Sequence, residues 1–161
     1  MHSKELIGIA ENMEFTTKSG KKQTQELTTK DMILTSENTY TSISNIQKQS
    51  NIELFEIKGF LFNRILATGS VSVYVKEKSS NLKAKWITLE ELSKNELHQK
   101  YYIASFAHFY NGILDDGVYD GMYVWIPFIV NKTNKLETVY QINTDATGVI
   151  INRVSISMNE N

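Results

Sequence analysis

With 161 residues the chain has room for one domain, since folded chains divide only above about 250 residues. Hydrophobic residues make up 41% and charged residues 22%, near the globular averages, which excludes a disordered tail, a collagen and a coiled coil. Lys+Arg 17 against Asp+Glu 18 leaves a net charge of -1, without the positive excess that a duplex-binding domain uses to displace counterions, so no specific duplex nucleic-acid partner is expected.

The absence of cysteine removes disulfides, thiolate metal sites and a cysteine nucleophile. The apolar stretch before Glu11 is too short for a signal peptide. The longest apolar run, residues 122–130, is half the length of a membrane helix and contains Pro127. A soluble chain without a transmembrane segment, cytoplasmic or particle-associated, is therefore expected.

In chain order, the first fifty residues are polar and rich in Thr, so they predict only short or edge strands. Residues 14–19 and 23–29 flank the turn signal Ser19-Gly20-Lys21 and read as a hairpin, followed by short strands at 32–34 and 39–43. From Ile52 four strands follow in succession, at 52–57, 59–66, 70–77 and 82–87. The period-two alternation around Val71, Val73 and Val75 puts the three valines on one inward face.

Thr88-Leu89-Glu90-Glu91 matches a capping box, so the principal helix is expected over residues 88–111, ended by Gly112, with Asn95 as a point where it could divide. Its second half, from Tyr101 to Tyr110, is apolar nearly all round, the pattern of a helix covered on several sides. Strands at 122–130, 136–143 and 149–157, joined by turn-length connectors at 131–134 and 144–148, predict a three-stranded meander. The sum is a single α+β domain, mainly antiparallel, either a sandwich or a partly closed barrel with one principal helix packed on the sheet.

Two surface features carry the functional expectation. A two-residue turn at Ser80-Asn81 would set Lys78 opposite Lys83 and Lys76 opposite Lys85, stacking four ammonium groups for an anionic or protein partner, or guarding a sheet edge. Nine of the 17 aromatics fall between Tyr101 and Phe128, with Tyr119 and Tyr123 flanking a Gly-Asp loop as the exposed ones. These features point to a non-catalytic protein that works by contact with a protein partner or its own copies, such as a subunit of a phage or secretion particle.

The alternative is a small-molecule-binding or hydrolytic domain with a pocket lined by Tyr101, Phe106, His108 and Trp125. A Ser105–His108 hydrolase would lack the sharp nucleophile turn, and Asp115, Asp116 and Asp120 read as a surface turn. No metal set, nucleotide loop or cofactor is implied, and no catalytic residue is assigned.

Overall fold

The computed structural model describes residues 6–79, 83–106, 118–120 and 122–159. The N-terminal half holds β1 (Ile9–Ala10), β2 (Glu14–Thr17), β3 (Gly20–Gln23), β4 (Met32–Leu34), β5 (Tyr40–Ser42), the long β6 (Asn45–Gly59) and β7 (Phe62–Ala67). Next come β8 (Ser72–Glu77), β9 (Lys85–Thr88), helix α1 (Leu89–Ser93), a 3₁₀ segment over Lys94–Lys100 and β10 (Tyr101–Phe106). The rest is β11 (Val118–Asp120), β12 (Tyr123–Ile126), the long β13 (Phe128–Asn143), β14 (Val149–Ile151) and β15 (Val154–Ser157).

Two sheets form. β1 pairs with both β13 and β7, and β6 bridges those two, so four strands close into a barrel. The larger sheet runs β11-β12-β10-β8-β15-β14-β2-β4-β5, with β3 and β9 attached to β2 and β8. All pairings among the described residues are antiparallel, both between strands joined by short turns and between strands far apart in sequence. The mainly antiparallel α+β class is as the sequence implies, with a closed barrel beside the large sheet, and Val71, Val73 and Val75 are fully buried in the core.

The helix is where expectation and structure part. Thr88 does cap it, its hydroxyl accepting from the Glu91 amide at 3.2 Å, but α1 lasts five residues. Asn95 and Glu96 both take positive φ, 53° and 55°, and break the helical path there. The apolar segment that follows becomes β10, whose two faces are both covered, so residues apolar on every side fit a strand equally well. The last part of the expected helix, residues 107–111, lies outside the described residues.

Two further boundaries move. Residues 131–134 form no turn: β13 runs on as one strand against β6, absorbing them in a register shift between Lys132 and Leu136, where the Thr133 hydroxyl donates to the Leu54 carbonyl. The expected strand at 149–157 instead folds into the hairpin β14–β15, because Asn152 and Arg153 both have positive φ, 48° and 74°, the geometry of a tight two-residue turn. Pro127, which has no amide proton to give a ladder, stands at the break between β12 and β13.

Under β3 a buried acid is tied down. Asp31, its side chain 6% exposed, accepts from Lys22 Nζ at 2.7 Å and from the Thr28 amide at 2.8 Å. The Lys22 hydrogen bond above all holds its carboxyl below the ordinary 3.8, against the opposing pull of burial. A carboxyl depressed in the folded state contributes stability above its unfolded pKa and loses it as pH falls through the folded value. The melting temperature is therefore expected to fall less steeply between about pH 5 and about pH 2 in Asp31→Asn than in the parent. Identical slopes would remove the ion pair from the account.

Candidate functional site

The two described ends of the chain meet on one short segment, Thr68 to Ser72, which leads from β7 into β8. Thr68 holds Gly8 from two directions: its amide donates to the Gly8 carbonyl at 2.9 Å, and its hydroxyl accepts from the Gly8 amide at 3.1 Å. The Thr68 and Ser70 hydroxyls lie 3.1 Å apart. Four residues on, Ser72 is the cross-strand partner of Ser157, the last residue of β15. Gly8 and Ser157 are thus held by residues of one five-residue stretch.

Packing makes this stretch stiff. Thr68, Ser72 and Ser157 are buried at 2%, 0% and 3% exposure. The first amides of α1 clamp it from outside, Leu89 donating to the Val71 carbonyl and Glu90 to the Gly69 carbonyl, both at 2.9 Å. Gly8 has no room for a side chain, since a Cβ would stand 2.8 Å from the Tyr140 carbonyl oxygen. The Gln49 side-chain oxygen accepts from the Leu6 amide at 3.0 Å and steers the entering chain.

The leaving end is anchored as well. The Asn159 amide donates to the Ser157 hydroxyl at 3.2 Å, and Asn159 Nδ2 donates to the carbonyls of Ala146 and Thr147 at 3.0 and 3.3 Å. The polar groups along this seam are hydroxyls and amides. Nearby, burial first and Glu11 second raise the pKa of Tyr140, whose hydroxyl donates to the Glu11 carboxylate at 3.1 Å. Among the described residues no three His, Cys, Asp or Glu side chains come together as a metal site. No described helix is long and apolar enough to cross a membrane.

The residues singled out by sequence lie elsewhere and do not converge as expected. Val75 pairs with Lys85 and Tyr74 with Trp86, so Lys76 and Lys85 project from opposite faces and the four-lysine ribbon does not form. A one-residue slip in register moves every side chain to the other face. Lys76 instead lies over Trp125 at 5.8 Å, Lys78 over Tyr102 at 5.5 Å and Lys85 over Tyr101 at 5.6 Å, with Lys83 exposed.

Among the described residues the expected pocket lining is divided between two faces. Along β10, Tyr101 and Phe106 fall on opposite faces, because alternation separates odd from even residues. Trp125 pairs with Ala104 on the Phe106 side, and His108 lies outside the described residues. Tyr123 is half-buried with its hydroxyl donating to the Ser36 carbonyl, and burial above all raises its pKa. Tyr119 belongs to β11, which pairs with β12.

Thr68, Gly8, Ser157 and Asn159 were not singled out by sequence. The one available signal was a threonine directly after the apolar run of β7, followed by Gly69 and Ser70, which reads locally as a turn.

Comparison with known proteins gives the fold a family resemblance. No protein-family model and no curated protein matches the chain. Solved structures do. A mutant of the Ssp DnaB mini-intein aligns over 97% of this chain and 94% of its own, with TM-score 0.70 and 16% identity. A splice-inactive variant of the AceL NrdHF class 3 split intein, in which alanine replaces a cysteine and an asparagine, aligns over 93% and 96% with TM-score 0.65 and 13% identity. The DnaB intein from Synechocystis sp. PCC 6803 aligns over 95% and 99% with TM-score 0.66 and 15% identity. The chain therefore has an intein-like fold. Neighbours of this kind overturn the expectation of a non-catalytic assembly subunit, and lend nothing to the alternative of a ligand-binding or hydrolytic pocket.

Proposed function

We propose that this chain is a self-processing domain of the intein type, whose substrates are peptide bonds of its own polypeptide beside its two ends. The observation that carries this reading is the seam at Thr68 to Ser72, where one rigid stretch holds Gly8 and Ser157 in a fold shared with inteins over 97% of the chain. Processing at both ends of a domain requires both to be held by a common framework, which is the arrangement of that seam.

None of the 161 residues is a cysteine, so they supply hydroxyl and amide nucleophiles and no thiol. Ser3 carries the sole hydroxyl or thiol among the first 15 residues, so it is the acceptor at the entering end. Its hydroxyl oxygen bonds to the His2 carbonyl carbon, the His2–Ser3 amide bond breaks, and the hydroxyl proton passes to the freed Ser3 nitrogen. The product is an ester that water or another nucleophile opens. At the leaving end Asn159 is the reactive group. Its Nδ2 attacks its own carbonyl carbon to close a succinimide, the bond to Glu160 breaks, and a proton moves from Nδ2 to the departing nitrogen. Glu160 offers no nucleophile to receive an acyl group, so the outcome at Asn159 is cleavage rather than joining.

The test is the full chain expressed between two foreign folded domains of different mass, followed by intact-mass spectrometry over time. Release of the upstream domain is expected to disappear in Ser3→Ala, and release of the downstream domain in Asn159→Ala. A fusion that stays whole under all conditions of pH and temperature at which it remains folded contradicts the proposal.

A further inference from the structure

A cavity of about 610 Å³ opens between the β4–β5 connection, β5, the β8–β9 pair, the start of β12 and the loop preceding β14. On its wall Tyr74 and Trp86 stand directly opposite each other with ring centroids 4.9 Å apart, Tyr123 lies 5.8 Å from Tyr74, and Tyr40 is 39% exposed beside them. Among the described residues the charged ones that line it are Glu37 and Asp145, both exposed, and no described Lys, Arg or His lines it. Aromatic faces with carboxylates form a surround for a positively charged group, and the flat guanidinium of arginine both stacks on an indole and pairs with a carboxylate. The same face of the sheet already accommodates a cation, Lys76 over Trp125.

Position indicates the occupant. Ala146 and Thr147, whose carbonyls anchor Asn159, also line the cavity. Asn159 is therefore held beside the cavity wall, and an extended chain gains about 3.3 Å of reach per residue. We infer that this cavity is a specificity subsite for an arginine side chain in polypeptide joined beyond Glu160 and Asn161, holding the downstream flank in place during cleavage. The identity of the occupant rests on the self-processing reading; the chemistry of the subsite does not.

The full chain is titrated with acetyl-Gly-Arg-Gly-amide and followed by tryptophan fluorescence, with acetyl-Gly-Gln-Gly-amide as the neutral probe. Saturable quenching by the arginine peptide is expected, with affinity about tenfold lower for the glutamine peptide and for the double variant Glu37→Gln with Asp145→Asn. The quenching should also weaken with salt, and vanish in Trp86→Phe, in which Trp125 is the remaining tryptophan. Both acids are exposed, so the double variant should melt with the parent. Absence of saturation up to about 10 mM, equal affinity for the two peptides, or indifference to the double substitution overturns the inference. Because binding is read without any cleavage, a chain that binds arginine yet never cuts a fusion defeats the proposed function alone, and one that cuts without binding defeats the subsite alone.

Discussion

Gly8→Ala is expected to lower the free energy of unfolding by about 2 kcal/mol and to loosen the entering end of the chain. The added Cβ would lie 2.8 Å from the Tyr140 oxygen, 3.0 Å from its carbonyl carbon and 3.3 Å from its nitrogen, all of them backbone. Tyr140 cannot turn aside as a side chain would, because β13 is held between β1 and β6. Gly8 cannot retreat either, since Thr68 binds both its amide and its carbonyl. The strain must be relieved by shifting β1, and any shift breaks that pair of hydrogen bonds. Denaturant unfolding measures the stability loss. Faster hydrogen exchange at the Thr68 and Gly8 amides reports the loosening. A variant within about 0.5 kcal/mol of the parent, with exchange unchanged, would mean that the seam tolerates a side chain and is not the tight junction described.

Asn152→Ala should cost more, about 3 kcal/mol, because one side chain ties together parts of both sheets. Its oxygen accepts from the Glu14 amide at 2.7 Å, and its Nδ2 donates to the carbonyls of Arg64 at 3.0 Å and Asn63 at 3.2 Å. It therefore joins β2 and the β14–β15 turn in the large sheet to β7 of the barrel. The residue is 6% exposed, so truncation removes these partners where water has little access. Its φ of 48° adds a backbone cost for alanine, which asparagine bears more easily. Asn152→Gly separates the two contributions, recovering the backbone part and leaving the hydrogen-bond part. Equal losses for Ala and Gly would assign the whole effect to the side-chain contacts, and a loss under about 1 kcal/mol for Ala would contradict the tie.

Much of the fold was legible in the sequence because its signals are local. Alternation identified the buried valines of the β8 region, and Thr88 marked a helix start. What failed was fixed by distant partners. An apolar stretch such as Tyr101 to Phe106 has no periodicity that distinguishes a strand covered on both faces from a buried helix. Residues 131–134 look like a turn, and only the facing β6 keeps them extended. Asn152 and Arg153 make a tight turn with no glycine to announce it. The lysine ribbon depended on a turn position, and the observed pairing of Tyr74 with Trp86 undid it.

The candidate site was the least legible part, for a physical reason. Its contacts join Gly8 to Thr68, 60 residues apart, and are made through backbone and a threonine hydroxyl. Serine and threonine are common in this chain, and none of those at the seam carries a local motif. A sequence reading that looked for imidazoles, thiols and carboxylates had no means of weighting Thr68 over the other threonines.

The most direct measurement takes the fusion with a foreign upstream domain and exposes it to hydroxylamine near neutral pH. Hydroxylamine opens esters far faster than amides, so an acyl group resting on Ser3 leaves as a hydroxamate at the end of the upstream domain, readable by mass. Acyl transfer to Ser3 requires that product from the parent fusion and its disappearance in Ser3→Ala. Upstream domain that is never released, or that is released equally well without the Ser3 hydroxyl, would contradict acyl transfer on this chain.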